Sequence, residues 1–135
     1  MLCCLPGKQG VLAECRRVIR DEGQMIFSMI SIAPDLNDEN RARAIEIGPP
    51  YVASELPYEV MLQRAGWRVV ERRDQTEQFL NCAEIFGDAN QDNKVELGAL
   101  MSAEELQGRL ERDADLVEAI GAGLLCRALY RVRAA

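Results

Sequence analysis

The 135-residue sequence contains no histidine and few aromatic residues, 5% of the chain. Without histidine, zinc sites with histidine ligands, histidine general bases and Ser-His catalytic arrangements are excluded. No apolar run approaches the roughly 20 residues that a membrane-spanning helix requires, and the N-terminus lacks the basic segment of a signal peptide. We therefore expect no membrane partner and a cytoplasmic location.

Cysteine is present, but not in any Cys-x-x-Cys pair. The five cysteines are Cys3, Cys4, Cys15, Cys82 and Cys126. Their odd number and irregular spacing imply no disulfide framework, and we predict no metal site. We expect Cys15, Cys82 and Cys126 to be small buried hydrophobes.

Basic residues are outnumbered, with 16 Lys and Arg against 22 Asp and Glu and a net charge of −6. This balance argues against nucleic acid as a partner, because phosphate binding requires a basic surface. A length of 135 residues favours a single domain, 1–135, with one core.

The first third of the chain predicts strand, helix and strand in that order. Residues 1–6 form an apolar run that Pro6-Gly7 ends, typical of the end of a strand. Apolar residues then recur at helical spacing over 8–20. The nearly continuous apolar run 24–33 is typical of a strand buried on both faces. This order predicts a βαβ unit.

Beyond Pro34, the predicted segments alternate between amphipathic helices and short strands. They are helices at 38–47, 57–65, 75–86 and 102–120, strands at 67–74 and 125–133, and a polar loop at 87–98. Two of the helices are preceded by capping-box patterns, Asp74-x-x-Glu77 and Ser102-x-x-Glu105.

The predicted loop begins like a calcium-binding loop, with oxygen ligands at Asp88, Asn90 and Asp92. However, Asn93 stands where the turn requires glycine, and Ala99 stands where a bidentate glutamate should close the site. We predict a polar loop between helices and no calcium site.

Two stretches near the N-terminus resemble class I S-adenosylmethionine-dependent methyltransferases from the fourth strand onward. Residues 2–23 are similar to the end of that strand and the helix after it, which in the family often reads Glu-x-x-Arg-Val-Leu and ends Pro-Gly-Gly. The matching residues are Glu14, Arg17, Val18, Ile19 and Gly23. Asp21-Glu22 departs from Pro-Gly. Residues 24–32 are similar to the family's fifth strand.

The rest of the chain continues the resemblance. Residues 58–71, with Ala65-Gly66-Trp67 at the helix end, are similar to the penultimate helix and strand, and residues 121–132 to the final antiparallel strand. The resemblance implies an α/β fold with a partial Rossmann-like, mixed sheet in the order four, five, seven, six. Helices would cover both faces, with a helical insertion at about 75–120.

The resemblance also implies a function, transfer of a methyl group from S-adenosylmethionine. The family holds this cofactor with a glycine-rich turn after its first strand, an acidic residue at the end of the second and residues after the third. All of these would precede position 1. We therefore expect this chain alone to bind no cofactor and to be inactive. The end of strand four makes Cys3, Cys4 and Leu5 the candidate cofactor-lining residues.

An edge strand without a neighbour predicts a partner. Strand four would be reduced to about 1–5, leaving unpaired backbone groups beside Leu2 and Cys4, and such edges pair with other chains. We expect either a homodimer through this edge or association with a separate N-terminal half. Two alternatives stay open: a non-catalytic, homo-oligomeric α/β binding module, and an unrelated small α/β binding protein.

Overall fold

In the computed structural model, which describes residues 2–135, three strands and six α-helices form an α/β fold. The helices are α1 (Lys8–Val18), α2 (Asp38–Ile47), α3 (Tyr58–Arg64), α4 (Thr76–Asp92), α5 (Lys94–Gly98) and α6 (Ala103–Gly121). The strands are β1 (Gln24–Ile32), β2 (Trp67–Asp74) and β3 (Leu125–Ala134). None of the helices in this part of the chain is both long enough and apolar enough to cross a membrane.

The sheet has the order β1-β3-β2, with the last strand of the chain in the middle. β3 is antiparallel to both neighbours and pairs with β1 from Gln24↔Arg133 to Ile32↔Leu125. The predicted order five, seven, six is therefore confirmed, as is the antiparallel last strand. The pairing among residues 2–135 is antiparallel throughout, unlike the predicted mixed sheet, because no strand four takes part.

The N-terminal segment differs from the prediction. Leu2–Cys4 form one turn of 3₁₀ helix, closed by the bond from Leu5 N to Leu2 O at 3.1 Å. Burial of Cys3 in the core stabilises this turn, and Gly7 with φ of 67° redirects the chain into α1. The predicted strand at 1–6 and the predicted βαβ unit are therefore wrong for the described residues. Met1 lies outside them.

Helices cover both faces of the sheet, as predicted. On one face, Leu12 of α1 and Leu62 of α3 pack against Val132 of β3. On the other face, residues of α2, α4 and α6 pack against Leu125. Side chains alternate between the two faces along a strand, so Val132 and Leu125 belong to opposite layers. Full burial of each leucine stabilises the fold by about 1.5–3 kcal/mol.

The helical segment between β2 and β3 is longer and more continuous than predicted. α4 runs to Asp92, and α5 follows at once, so the predicted loop at 87–98 is wrong. Asn90 donates to the Asp113 carboxylate of α6 at 2.7 Å, which holds this end of α4 in place. The polar residues of the segment 87–98 therefore lie on helices rather than in a loop.

The two predicted capping boxes have different outcomes. The box at Ser102 is formed with Glu105, as predicted, and starts α6. At the start of α4, by contrast, the Asp74 carboxylate accepts hydrogen bonds from the amide and hydroxyl of Thr76, and Glu77 takes no part.

Candidate functional site

A cleft of about 430 Å³ opens at the carboxyl end of β1. Its walls come from the loop after β1, the segment 52–59 that leads into α3, one residue of β2 and two of β3. Polar and aromatic side chains from three elements meet here: Glu59 of α3, Arg72 of β2 and Tyr130 of β3. This convergence makes the cleft the candidate functional site.

Glu59, Arg72 and Tyr130 form one hydrogen-bonded group. Tyr130, 3% exposed, donates its hydroxyl proton to Glu59 Oε1 at 2.9 Å and accepts a bond from Arg72 Nε at 3.2 Å. Arg72 Nε also lies 3.4 Å from Glu59 Oε1. The ion pair is half-exposed and contributes about 0–1 kcal/mol. Burial raises the Tyr130 pKa, so the phenol is a fixed donor rather than a base near neutrality.

Tyr58 is the second aromatic residue of the cleft. It is 6% exposed, and its hydroxyl makes no hydrogen bond of normal geometry with the residues the structure describes. The Ser54 side chain is near enough to lower the Tyr58 pKa, against the larger effect of burial. Burial raises the pKa of Tyr58 to about 12. Its ring centroid lies 6.4 Å from that of Tyr130 in a tilted arrangement. The two phenols therefore give the cleft a neutral aromatic wall.

Lys8 holds the outer wall of the cleft in place. Its ammonium donates to the carbonyl of Tyr51, to the carbonyl of Ala53 at 3.5 Å and to the hydroxyl of Ser54 at 2.8 Å. The residue is only 7% exposed, and desolvation lowers its pKa. These bonds tie α1 to the segment that carries Ser54, a cleft residue.

Lys8 and the cleft group were missed by sequence reasoning. The segment Gly7-Lys8-Gln9-Gly10 lacks the Gly-Lys-Ser/Thr ending of a phosphate-binding loop, and that comparison says nothing about burial. Glu59, Arg72 and Tyr130 are far apart along the chain, so no local pattern could reveal their contact. The cross-strand pair Arg72↔Tyr130 depends on the register of β2 and β3.

The three predicted cofactor-lining residues do not share one pocket. Cys3 is 0% exposed in the core, whereas Cys4 faces solvent. Leu5 lines a neighbouring hollow of about 300 Å³ together with Lys8. Ser54 and Glu55 line both this hollow and the cleft, so the two spaces are adjacent. A role of Cys3, Cys4 and Leu5 toward a cofactor stays a prediction.

The chain matches no family model and no curated protein sequence. Its fold does match solved structures. A protein of Galdieria sulphuraria assigned as a sarcosine dimethylglycine methyltransferase has a TM-score of 0.82 at 14% identity, over 98% of this chain and 49% of that one. Phosphoethanolamine N-methyltransferase 2 of Haemonchus contortus, solved with S-adenosyl-L-methionine, has a TM-score of 0.82 at 11% identity, over 99% of this chain and 31% of that one.

A cyclopropane synthase of Mycobacterium tuberculosis has a TM-score of 0.76 at 14% identity, over 93% of this chain and 49% of that one. At these identities the likeness concerns the fold. The chain therefore has the fold of the C-terminal part of class I S-adenosylmethionine-dependent methyltransferases, as the resemblance in the sequence predicts. It spans between about a third and a half of the length of these structures.

Proposed function

We propose that the chain is the C-terminal part of an S-adenosylmethionine-dependent methyltransferase and that it does not act alone. The observation that carries this proposal is the likeness over 98% of the chain to only 49% of a methyltransferase structure. In this proposal the cleft binds the methyl acceptor, and another part of the fold binds the cofactor.

The residues present do not fit the cofactor itself. A glycine-rich turn that cradles a nucleotide lies between a strand and the helix that follows it. Within residues 2–135, Gly7 precedes α1 and Gly10 lies in its first turn, with no strand before them. Gly121 ends α6, and Gly123 lies between α6 and β3, so here the helix precedes the strand, the reverse order. We therefore assign no step of the reaction to a cofactor held by this chain.

In the proposed acceptor site, the group of Glu59, Arg72 and Tyr130 orients the methyl acceptor and does not exchange protons with it. The Tyr130 hydroxyl is committed to Glu59 as donor and to Arg72 as acceptor. Tyr58 is different, because its buried hydroxyl has no partner in the described part of the chain. A polar group of a bound acceptor would satisfy it, which makes Tyr58 the residue of the site with most to gain from a ligand.

A reconstitution experiment tests the proposal. The chain is mixed with a polypeptide from the same source that carries a glycine-rich strand–turn–helix, and binding of S-adenosylhomocysteine is measured. We expect binding in the mixture and none with this chain alone. Failure of every such polypeptide to confer binding, together with a stable homodimer, would favour the alternative of a non-catalytic binding module.

We also propose that the open edge of β1 pairs with a strand of another chain. Ala33 N donates to Leu124 O, and Ala134 N donates to Gly23 O, so odd-numbered residues turn their backbone groups toward β3. The even-numbered residues of β1 turn theirs to the opposite side, where no strand lies among residues 2–135. Ile26, at 63% exposed, lies on this edge.

Two occupants fit this edge: the same edge of a second copy, giving a homodimer, or a strand of an N-terminal half. Unpaired strand edges readily take up another strand, and two-fold pairing is the commonest closed arrangement. Within this proposal, residues 1–135 act as one domain, with the helical segment 76–121 as an addition to the sheet. All five cysteines are free thiols, which supports a reducing, cytoplasmic location.

A further inference from the structure

We propose that Cys3 and Cys4 form a redox-active dithiol, which peroxide converts into a disulfide between adjacent residues. The two sulfur atoms lie 4.0 Å apart within the turn Leu2–Cys4. This is a contact distance for two thiols, and closing it to a bond of about 2.05 Å requires a movement of about 2 Å. The inference does not depend on the proposed methyltransferase function.

The two thiols differ in accessibility in a way that assigns their roles. Cys4 is exposed and meets an oxidant first. Cys3 is fully buried, and burial raises the pKa of its thiol, so it is protected from direct attack. An exposed cysteine that reacts beside a protected one that resolves is the arrangement of thiol pairs that oxidise reversibly.

Lys8 supplies a positive charge beside the pair. Charge on either sulfur raises the Lys8 pKa, against the larger effect of desolvation, so the ammonium lies within electrostatic reach of both thiols. Cys82 is exposed, so its prediction as a small buried hydrophobe is wrong, and it serves as a comparison.

The reaction balances with hydrogen peroxide as the two-electron oxidant. The Cys4 thiolate attacks one peroxide oxygen, an S–O bond forms, the O–O bond breaks, and the departing hydroxide takes a proton to become water. The Cys3 sulfur then attacks the Cys4 sulfur, so that the S–S bond forms and the S–O bond breaks. A second water leaves with the Cys3 proton. Two thiols are oxidised, and one peroxide is reduced to two waters.

The disulfide would be strained and easily reduced. Adjacent Cα atoms lie about 3.8 Å apart across a trans peptide, less than the about 4.4–6.8 Å of ordinary disulfides. Strained disulfides are the labile ones. Formation also draws the Cys3 sulfur away from the core cluster that it shares with Tyr58. The oxidation state of the pair would therefore alter packing next to the cleft.

Mass spectrometry tests the proposal on the full chain. The protein is treated with hydrogen peroxide, free thiols are blocked with N-ethylmaleimide in denaturant, and trypsin releases the peptide 1–8. We expect that peptide to lose two hydrogen atoms, to escape blocking and to recover both thiols after dithiothreitol. The Cys82→Ser variant should behave identically, because Cys82 takes no part.

The Cys4→Ser variant should leave Cys3 as a free, blockable thiol, since the buried sulfur has no partner to attack. Circular dichroism checks that this exposed substitution leaves the fold intact. Three results would each overturn the proposal: two blocked thiols after peroxide, a sulfinic acid at Cys4 without a bond, or a disulfide between chains in place of the internal one.

Discussion

At the scale of single residues, Tyr58 and Tyr130 share the cleft but differ in what their hydroxyls contact. The Tyr130 hydroxyl bonds with two charged side chains, Glu59 and Arg72. The Tyr58 hydroxyl is buried without a partner among residues 2–135. A buried polar group without a partner costs about 1–3 kcal/mol, whereas a bond to a charged group contributes about 1.5–3 kcal/mol.

The matched variants Tyr58→Phe and Tyr130→Phe should therefore change stability in opposite directions. We expect Tyr130→Phe to lower the free energy of unfolding by about 1–3 kcal/mol, because the bonds of its hydroxyl are lost. Tyr58→Phe should leave that free energy unchanged or raise it by about 1 kcal/mol. Urea unfolding measures both. Equal losses in the two variants would show that Tyr58 has a partner too.

Tyr58 also makes the free energy of unfolding depend on pH in the alkaline range. Burial raises the pKa of its phenol from 10.0 to about 12, so the folded state keeps a proton that the unfolded state loses in this range. The stability present below about pH 10 is then lost as pH rises toward about 12, by on the order of 1 kcal/mol per pH unit. Denaturant unfolding at stepped pH should show this loss. Tyr58→Phe should reduce it to the part that Tyr130 and Cys3 contribute, since burial raises the pKa of these two groups as well. A loss unchanged by that substitution would contradict the assignment.

At the scale of elements, periodicity predicted most helices and strands, but the predictions for the terminal segment 1–6 and the polar segment 87–98 were wrong. The run 24–33 was predicted as a strand buried on both faces. It does form the strand β1, but the predicted burial is wrong, because β1 is an edge strand in which Met29 is buried and Ile26 is 63% exposed. The apolar segment 1–6 looks the same locally, yet Leu2–Cys4 form a 3₁₀ turn that buries Cys3 in the core and does not pair with the open edge of β1. The asparagine- and aspartate-rich segment 87–98 is helical because α6 provides contacts such as that of Asp113 with Asn90. Both errors concern tertiary partners, which local sequence does not specify.

The start of α6 offers a local test of an element. Ser102 accepts a bond from the Glu105 amide at 3.1 Å, and Glu105 accepts one in return from the Ser102 amide at 3.2 Å. Ser102→Ala removes the cap and should lower the free energy of unfolding by about 1 kcal/mol. Ser102→Asp should restore most of that loss, because aspartate is also a good cap. Thermal or urea unfolding measures the stability of both variants. If Ser102→Ala leaves the free energy of unfolding unchanged, packing of α6 alone determines where the helix starts.

At the scale of the whole molecule, the fold class and the strand order follow from the resemblance in the sequence, whereas the cleft does not. The order of β1, β3 and β2 depends on matching three stretches to one family. The cleft depends on how those strands are aligned, since one shift in register would separate Arg72 from Tyr130. The sequence therefore predicted the fold class and the strand order, but not which side chains meet.

The open edge of β1 makes association a property of the whole molecule. We expect light scattering at tens of micromolar protein to show a species larger than the 15.1 kDa monomer, because an unpaired strand edge readily takes up another strand. Ile26→Lys places a charge on the open edge and should shift the chain toward monomer. Val95→Lys, at an exposed apolar position on α5 and outside the sheet, is the control. A clean monomer before any substitution would refute self-association and leave an N-terminal half as the occupant.

Calorimetric titration of the isolated chain with S-adenosylmethionine and S-adenosylhomocysteine tests the central claim most directly. The claim is that this chain has the fold of the C-terminal part of a methyltransferase and that residues 2–135 contain no strand, glycine-rich turn and helix in the order that cradles the cofactor. The account predicts no measurable binding of either compound. A dissociation constant in the micromolar range or tighter would contradict it, because residues within 2–135 would then form a cofactor pocket of their own.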